Sequence, residues 1–251
     1  MTATPPQVLL PTTDFVPDAA ARRAEAQSYR RMVGVLRRPV DQPQPGLAVP
    51  AVLVPGFISG DISMTILSRH LRRLGHRTFR SAIGANLGCS EAMVERLIAR
   101  LEQVVAAEGR KVALVGHSRG GMIVKLAARR RPDLVEGVVV LSAPVTGTLS
   151  VAAHVRKQLE ILFRLHARGW RGVISEDCVT GECAARIAAE FEAPFPAEVP
   201  YTSIYSRSDA IIDWHTCLDP YAELIEVDSA HTGMPTDPAV LGIVAKRLAT
   251  L

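Results

Sequence analysis

The pentad Gly116-His117-Ser118-Arg119-Gly120 carries the clearest chemistry in this 251-residue sequence. A serine hydroxyl is a weak nucleophile at neutral pH until a base takes its proton, and that base needs an orienting carboxylate. Glycines two before and two after the serine suit a turn too tight for a Cβ at either place. The apolar run Lys111-Val-Ala-Leu-Val115 precedes the pentad, and residues 119–131 have helical composition up to Pro132. Strand, Gly-x-Ser-x-Gly and helix in that order make a nucleophile elbow. Such an elbow lifts the serine to a helix N-terminus, where free backbone N–H groups meet developing negative charge.

In the chain order nucleophile, acid, base, the two remaining groups come from loops that follow later strands. Arg207-Ser208-Asp209 follows the strand-like stretch 201–206, and Asp228-Ser229-Ala230-His231 follows 224–227. Asp209, nearest its strand end, is the expected acid, with Asp213 and Asp219 as competing carboxylates. His231 is the expected base. His215 lies deep in the loop of the acid and fits the order less well. His117 adjoins the serine too closely to serve it and is expected to pack under the turn. A developing alkoxide also needs two N–H donors. One is the amide of Arg119; the other, from the loop after the first strand, is Phe57 in Pro55-Gly56-Phe57.

These residues need a scaffold that brings distant loops to one edge. Strand-like stretches at 49–54, 76–82, 111–115, 135–141, 201–206 and 224–227 alternate with helical stretches at 61–74, 90–108, 119–131 and 237–251. Asp61 and Ser90 are the expected N-caps, and Gly109 ends the second helix. Doubly apolar strands alternating with helices predict a doubly wound α/β fold with a mostly parallel sheet. Residues 145–198 interrupt the alternation. There Ala152, Val155, Leu159 and Leu162 follow a helical rhythm. The stretch reads as a helical cap over the carboxyl edge of the sheet, with a crossover helix and long loop as the competing reading. Leu159, Leu162 and Phe163 would supply an apolar substrate pocket. Residues 1–48 read as an arm and a helix over 19–38, joined to the rest by a proline-rich linker from Pro39 to Pro50. The chain thus divides into 1–48, a core of 49–144 with 199–251, and the cap 145–198.

Hydrophobic residues at 48% and charged residues at 22% exclude intrinsic disorder. The net charge of +4 comes from arginine, and aromatics at 5% do not interleave with the basic runs, so nucleic acid is not an expected partner. Apolar stretches fall short of the ~18 residues that span a bilayer. The chain opens without a basic segment followed by an apolar one, which points to a cytoplasmic location. Cys89, Cys178, Cys183 and Cys217 form no Cys-x-x-Cys and no zinc-finger spacing, so no metal is expected. They read as free thiols, or as one Cys178–Cys183 bridge in an oxidising compartment. The arginine-paired helix over 19–38 would pack on the sheet or on a partner subunit, so the oligomeric state stays open.

Four segments together resemble the α/β-hydrolase superfamily, and more narrowly its small bacterial serine lipases and esterases. They are Leu53-Val-Pro-Gly-Phe57, Val115-Gly-His-Ser-Arg-Gly-Gly121, Ser208-Asp-Ala-Ile-Ile212 and His231-Thr-Gly-Met234. The resemblance runs from 49 to 251. It implies a six-stranded parallel core and hydrolysis of a small-molecule carboxylic ester through an acyl-serine, with no cofactor. The sequence departs from the family where Pro-Gly stands for Phe-Gly or His-Gly before the oxyanion residue. It departs again where Arg119 replaces the commoner Met, Gln or Leu. That arginine could meet an anionic group or salt-bridge the cap. Two other readings keep the fold. An acyltransferase or thioesterase could use the basic residues between Arg156 and Arg171 to hold a phosphorylated carrier, and a binding protein would use no chemistry at all.

Overall fold

Six strands pair in parallel into one sheet of order β2-β1-β3-β4-β5-β6. They are β1 (Ala51–Val54), β2 (Thr78–Arg80), β3 (Val112–His117), β4 (Val135–Leu141), β5 (Tyr201–Tyr205) and β6 (Glu223–Glu226). The structure, a computed structural model, describes residues 15–35, 49–146 and 149–251, with the side chains of 29–35 outside that description. Every residue of β1, β3 and β5 is buried, as a sheet covered on both faces requires.

The helices are α1 (Ala19–Val35), α2 (Thr65–Arg73), α3 (Ser90–Glu108), α4 (Arg119–Arg130), α5 (Ala153–Ala167), α6 (Asp177–Thr180), α7 (Glu182–Glu192) and α8 (Pro238–Leu248). Side chains alternate across the sheet with the period of two that strands impose. Val52, Val54, Leu114, Val138 and Val140 face one side, where α3, α4 and α7 pack. Ala51, Leu53, Ala113, Val115 and Leu141 face the other, covered by α2 and α8. The helix read over 19–38 is described from Ala19 to Val35, as α1. The arm before residue 15, the last three residues of that helix reading (36–38) and the linker from Pro39 to residue 48 lie outside the described residues.

Local signals set several boundaries. α3 stops at Gly109, which takes φ +70° and donates its N–H to Val105 O at 2.8 Å, a left-handed cap that glycine adopts without strain. Asp237 opens α8, its carboxylate accepting from the amides of Ala239 and Val240. Two expected caps are corrected. Asp61 begins a 3-10 turn (Asp61–Met64) ahead of α2, and its carboxylate accepts from the Ser81 amide and hydroxyl at 3.1 and 2.9 Å. Cys89, not Ser90, occupies the N-cap position of α3, and the Ser90 hydroxyl accepts from Arg119. In both cases a partner distant in sequence takes the side chain that the local pattern assigned to a cap.

Residues 145–198 separate into two parts. α5 and α6 border the cavity described below. α7 instead packs on the sheet: Ala184, Ile187, Ala188 and Phe191 join the cluster of α3 and α4, and Arg130 pairs with both Glu91 and Glu190. Its buried positions form a helical stripe, so α7 is the crossover helix from β4 to β5. The competing sequence reading therefore describes the second half of this stretch.

Candidate active site

β3 ends at His117 and α4 begins at Arg119, so Ser118 alone makes the turn, at φ +53° and ψ −126°. This backbone conformation costs a non-glycine residue about 1–3 kcal/mol and must be held by its surroundings. The Ser118 amide donates to Leu141 O, and Ser118 O accepts from the Gly121 amide, each at 2.8 Å. A Cβ on Gly116 would stand 2.5 Å from Gly120 O, and one on Gly120 would stand 2.4 Å from Val54 O. The glycine spacing thus records close backbone approach on both flanks of the elbow.

His231 opens a 3-10 turn after β6, and Asp209 lies in the loop after β5. Their side chains meet: His231 Nδ1 donates to Asp209 Oδ2 at 2.7 Å, with both residues at most 4% exposed. The other carboxylate oxygen, Oδ1, accepts from the amides of Ile211 and Ile212 at 2.7 and 2.9 Å. Burial pulls the His231 pKa down, but the Asp209 charge and hydrogen bond, with the Glu25 charge behind them, outweigh it and leave the pKa raised. The competing groups are engaged elsewhere. Asp213 pairs with the exposed His215 at 2.7 Å. Asp219 is buried against Lys125 and accepts from Tyr201 OH at 3.2 Å.

His117 does pack under the turn. It is buried, and its Nε2 donates to His231 O at 2.9 Å. Burial first, and the neighbouring His231 second, push its pKa down to about 3, so it stays neutral. Three further residues support the site without any signal in the sequence. Glu25 of α1 accepts from the Thr232 amide at 2.9 Å. Ser28 donates to Glu25 O at 2.8 Å and so accepts from Thr232 Oγ1 at 2.6 Å. α1 therefore clamps the His231 turn across more than two hundred residues of chain. Asn86 donates to Pro55 O at 2.8 Å and accepts from Arg119 at 3.0 Å, joining the loop of Phe57 to the elbow.

Ser118 and His231 line the same cavity of about 340 Å³, together with Gly56, Phe57 and Arg119. Its apolar wall includes Leu149, Val151, Val155, Leu159, Ile174 and Val179. Of the three cap residues expected there, Leu159 lines the cavity. Leu162 and Phe163 do not; one turn further along α5, they pack in the apolar cluster with α6 and Cys183. The basic residues between Arg156 and Arg171 contribute nothing to the lining. Arg119 salt-bridges no cap carboxylate. Its buried guanidinium donates to Asn86 O, Asn86 Oδ1, Gly88 O and Ser90 Oγ at 2.5–3.1 Å. Burial lowers its pKa to about 10, which leaves it charged at neutral pH.

Comparison with known proteins agrees with this architecture. Residues 51–250 match the sequence model of the family described as the alpha/beta hydrolase family. A triacylglycerol lipase of Vibrio cholerae is 34% identical over 113 residues, which are 43% of this chain and 36% of that protein. The match thus spans about a third of that relative's length. The mature lipase BlEst2 of Bacillus licheniformis superposes with TM-score 0.62 at 17% identity, covering 84% of this chain and 96% of that one. A metagenomic carboxyl esterase superposes with TM-score 0.59 at 19% identity, covering 85% and 79%. A monoacylglycerol lipase of Paleococcus ferrophilus gives 0.55 at 17% identity, covering 84% and 96%.

Proposed function

Since the chain belongs to the alpha/beta hydrolase family, we propose that it is a serine hydrolase of carboxylic esters, with Ser118 as nucleophile, His231 as base and Asp209 as acid. One observation carries the reading: the buried His231–Asp209 hydrogen bond stands at a cavity that Ser118, strained at a helix N-terminus, also lines. In the proposed cycle His231 takes the hydroxyl proton as Ser118 Oγ attacks the ester carbonyl. Asp209 holds the proton on Nδ1, so the free nitrogen is Nε2 and the imidazolium that forms is paired. The alkoxide accepts hydrogen bonds from the amides of Phe57 and Arg119. The latter is the first of the four donors that the α4 N-terminus leaves without intrahelical partners. Collapse expels the alcohol, which takes its proton from His231. Water activated by the same imidazole then attacks the acyl-serine and releases the acid.

The apolar wall supports an acyl chain as the group held in the cavity. The printed name of the Vibrio relative points the same way for that protein. α5 and α6 act as the cap over a core of six strands, and no described helix is long and apolar enough to cross a membrane. Hydrolysis of p-nitrophenyl esters from acetate to palmitate, with Ser118→Ala beside the wild type, tests the proposal. Turnover over a band of chain lengths that disappears in the variant is expected. Equal activity in both, or none in either, overturns it.

A further inference from the structure

Three thiols meet behind the cavity wall. Cys89 comes from the turn before α3, Cys178 from α6 and Cys183 from α7, and their Sγ atoms all lie within 4.8 Å of one another. Cys89 and Cys183 are 3.5 Å apart, and Ser175 Oγ lies 3.3 Å from Cys178 Sγ. Among the described residues this is the one such gathering of metal-binding side chains. Its surroundings are apolar: Leu87, Leu162, Ile174 and Val179 pack around it. Cys178 also belongs to the cavity lining.

The separations suit a metal ion. Thiolates bound at about 2.3 Å stand about 4.0 Å apart around a trigonal ion and about 3.8 Å apart around a tetrahedral one. Both values fall between the Cys89–Cys183 separation, 3.5 Å, and the outer limit for all three, 4.8 Å. The set is all sulfur, which selects thiophilic ions such as zinc over magnesium or calcium.

The charge around the three sulfurs is compatible with an ion. Arg119 is 8% exposed, and its four hydrogen bonds go to neutral oxygens. Among the described residues its guanidinium meets no carboxylate, and an uncompensated buried cation is costly. Two of its partners, Gly88 and Ser90, flank Cys89. The acidic groups in its field are the thiols of Cys178 and Cys89. Three thiolates around a dication carry one net negative charge, which is compatible with the Arg119 cation beside them.

We propose that Cys89, Cys178 and Cys183 form a three-thiolate site for a soft divalent ion, zinc foremost, tying α6 and α7 to the turn that opens α3. The sulfurs bind as thiolates, so binding releases to solvent whatever protons they carry and changes no oxidation state. The fourth position is taken by water or by the Ser175 hydroxyl. The ion would act as a staple between cap and core and takes no part in the proposed ester chemistry. Sequence spacing hides the site because its members are 89, 178 and 183. Only the fold brings the first to the other two.

The full chain, reduced with a phosphine and desalted, is titrated with cadmium alone and then with zinc in competition. The thiolate-to-cadmium charge-transfer absorbance gives the stoichiometry. We expect one ion per chain, displaced by zinc, and a loss of affinity of about 100-fold or more in each of Cys89→Ser, Cys178→Ser and Cys183→Ser. Cys217→Ser should bind as the wild type does. Circular dichroism checks that each variant folds. A second readout needs no variant: bound zinc should protect Cys89, Cys178 and Cys183 together from alkylation by N-ethylmaleimide, mapped by peptide mass. The proposal is overturned by the absence of saturable binding, by binding that survives the three substitutions, or by alkylation of the three thiols unchanged by zinc. It is equally overturned if the cysteines resist reduction as a Cys89–Cys183 disulfide.

Discussion

Replacing Asp209 by asparagine exchanges one oxygen for an amide group, and the loop geometry dictates where that amide points. Asp209 Oδ1 accepts from the Ile211 and Ile212 amides at 2.7 and 2.9 Å. In Asp209→Asn those two donors must keep an oxygen opposite them, so the side-chain NH2 is turned toward His231 Nδ1. That NH2 can only donate, so Nδ1 must accept and the ring proton moves to Nε2. The nitrogen meant to take the Ser118 proton is then already protonated. The wrong tautomer costs about 10⁴-fold in turnover, equivalent to about 5.4 kcal/mol of transition-state stabilisation. Losing the Asp209 charge also removes the chief influence that holds the His231 pKa up against burial. Raising the pH therefore does not restore activity, because the ring is neutral but misprotonated. The assay is kcat/KM on p-nitrophenyl butyrate between pH 6 and 9, with circular dichroism to establish folding. A folded Asp209→Asn within tenfold of wild type would refute the tautomer argument and the assignment of Asp209 with it.

Other consequences follow from the same contacts. Glu25→Gln keeps an oxygen for the Thr232 amide but removes a charge that raises the His231 pKa. The acid limb of the kcat/KM profile should therefore move to lower pH with little change on its plateau; an unmoved limb contradicts the role given to α1. His117 contributes the opposite sign to that of a raised histidine. With its folded pKa near 3, its contribution to stability is complete above its unfolded pKa of about 6.5 and is lost as pH falls toward 3, up to about 5 kcal/mol. Urea unfolding from pH 7 to pH 4 should show a shallower loss in His117→Asn than in the wild type. Gly120→Ala drives a Cβ against Val54 O and Pro55 O and should lower the melting temperature by roughly 10 °C, from a cost of about 3 kcal/mol. Asp219→Asn strands the buried Lys125 ammonium and should cost about 3–5 kcal/mol in chemical denaturation. The folded fraction should keep its activity, since neither residue lines the cavity.

Where short-range rules govern, the sequence was a good guide. The parallel, doubly wound sheet follows from doubly apolar strands alternating with helices, and Gly109 and Asp237 cap their helices as their residue types suggest. The elbow was legible because its glycines are fixed by backbone approach. Asp209 and His231 were legible because both sit one turn past a strand end. What escaped is long-range. Asp61 and Ser90 have cap chemistry, yet Ser81 and Arg119, distant in sequence, take their oxygens. α7 reads as part of a cap by its position, yet its apolar stripe belongs to the core. Leu162 and Phe163 share the rhythm of Leu159, and only the placement of α5 decides which of them reaches the cavity. Glu25 and Ser28 lie outside the matched residues 51–250, in a helix that no local pattern links to His231.

Ser118 is proposed as the one activated nucleophile, and covalent labelling tests that role. The folded protein is treated with a fluorophosphonate at pH 8, and the adduct is located by intact mass and peptide mapping. One adduct per chain is expected, on Ser118 Oγ, absent from Ser118→Ala and strongly slowed in His231→Ala. No adduct on the folded protein, or an adduct on another residue that persists in Ser118→Ala, would contradict it.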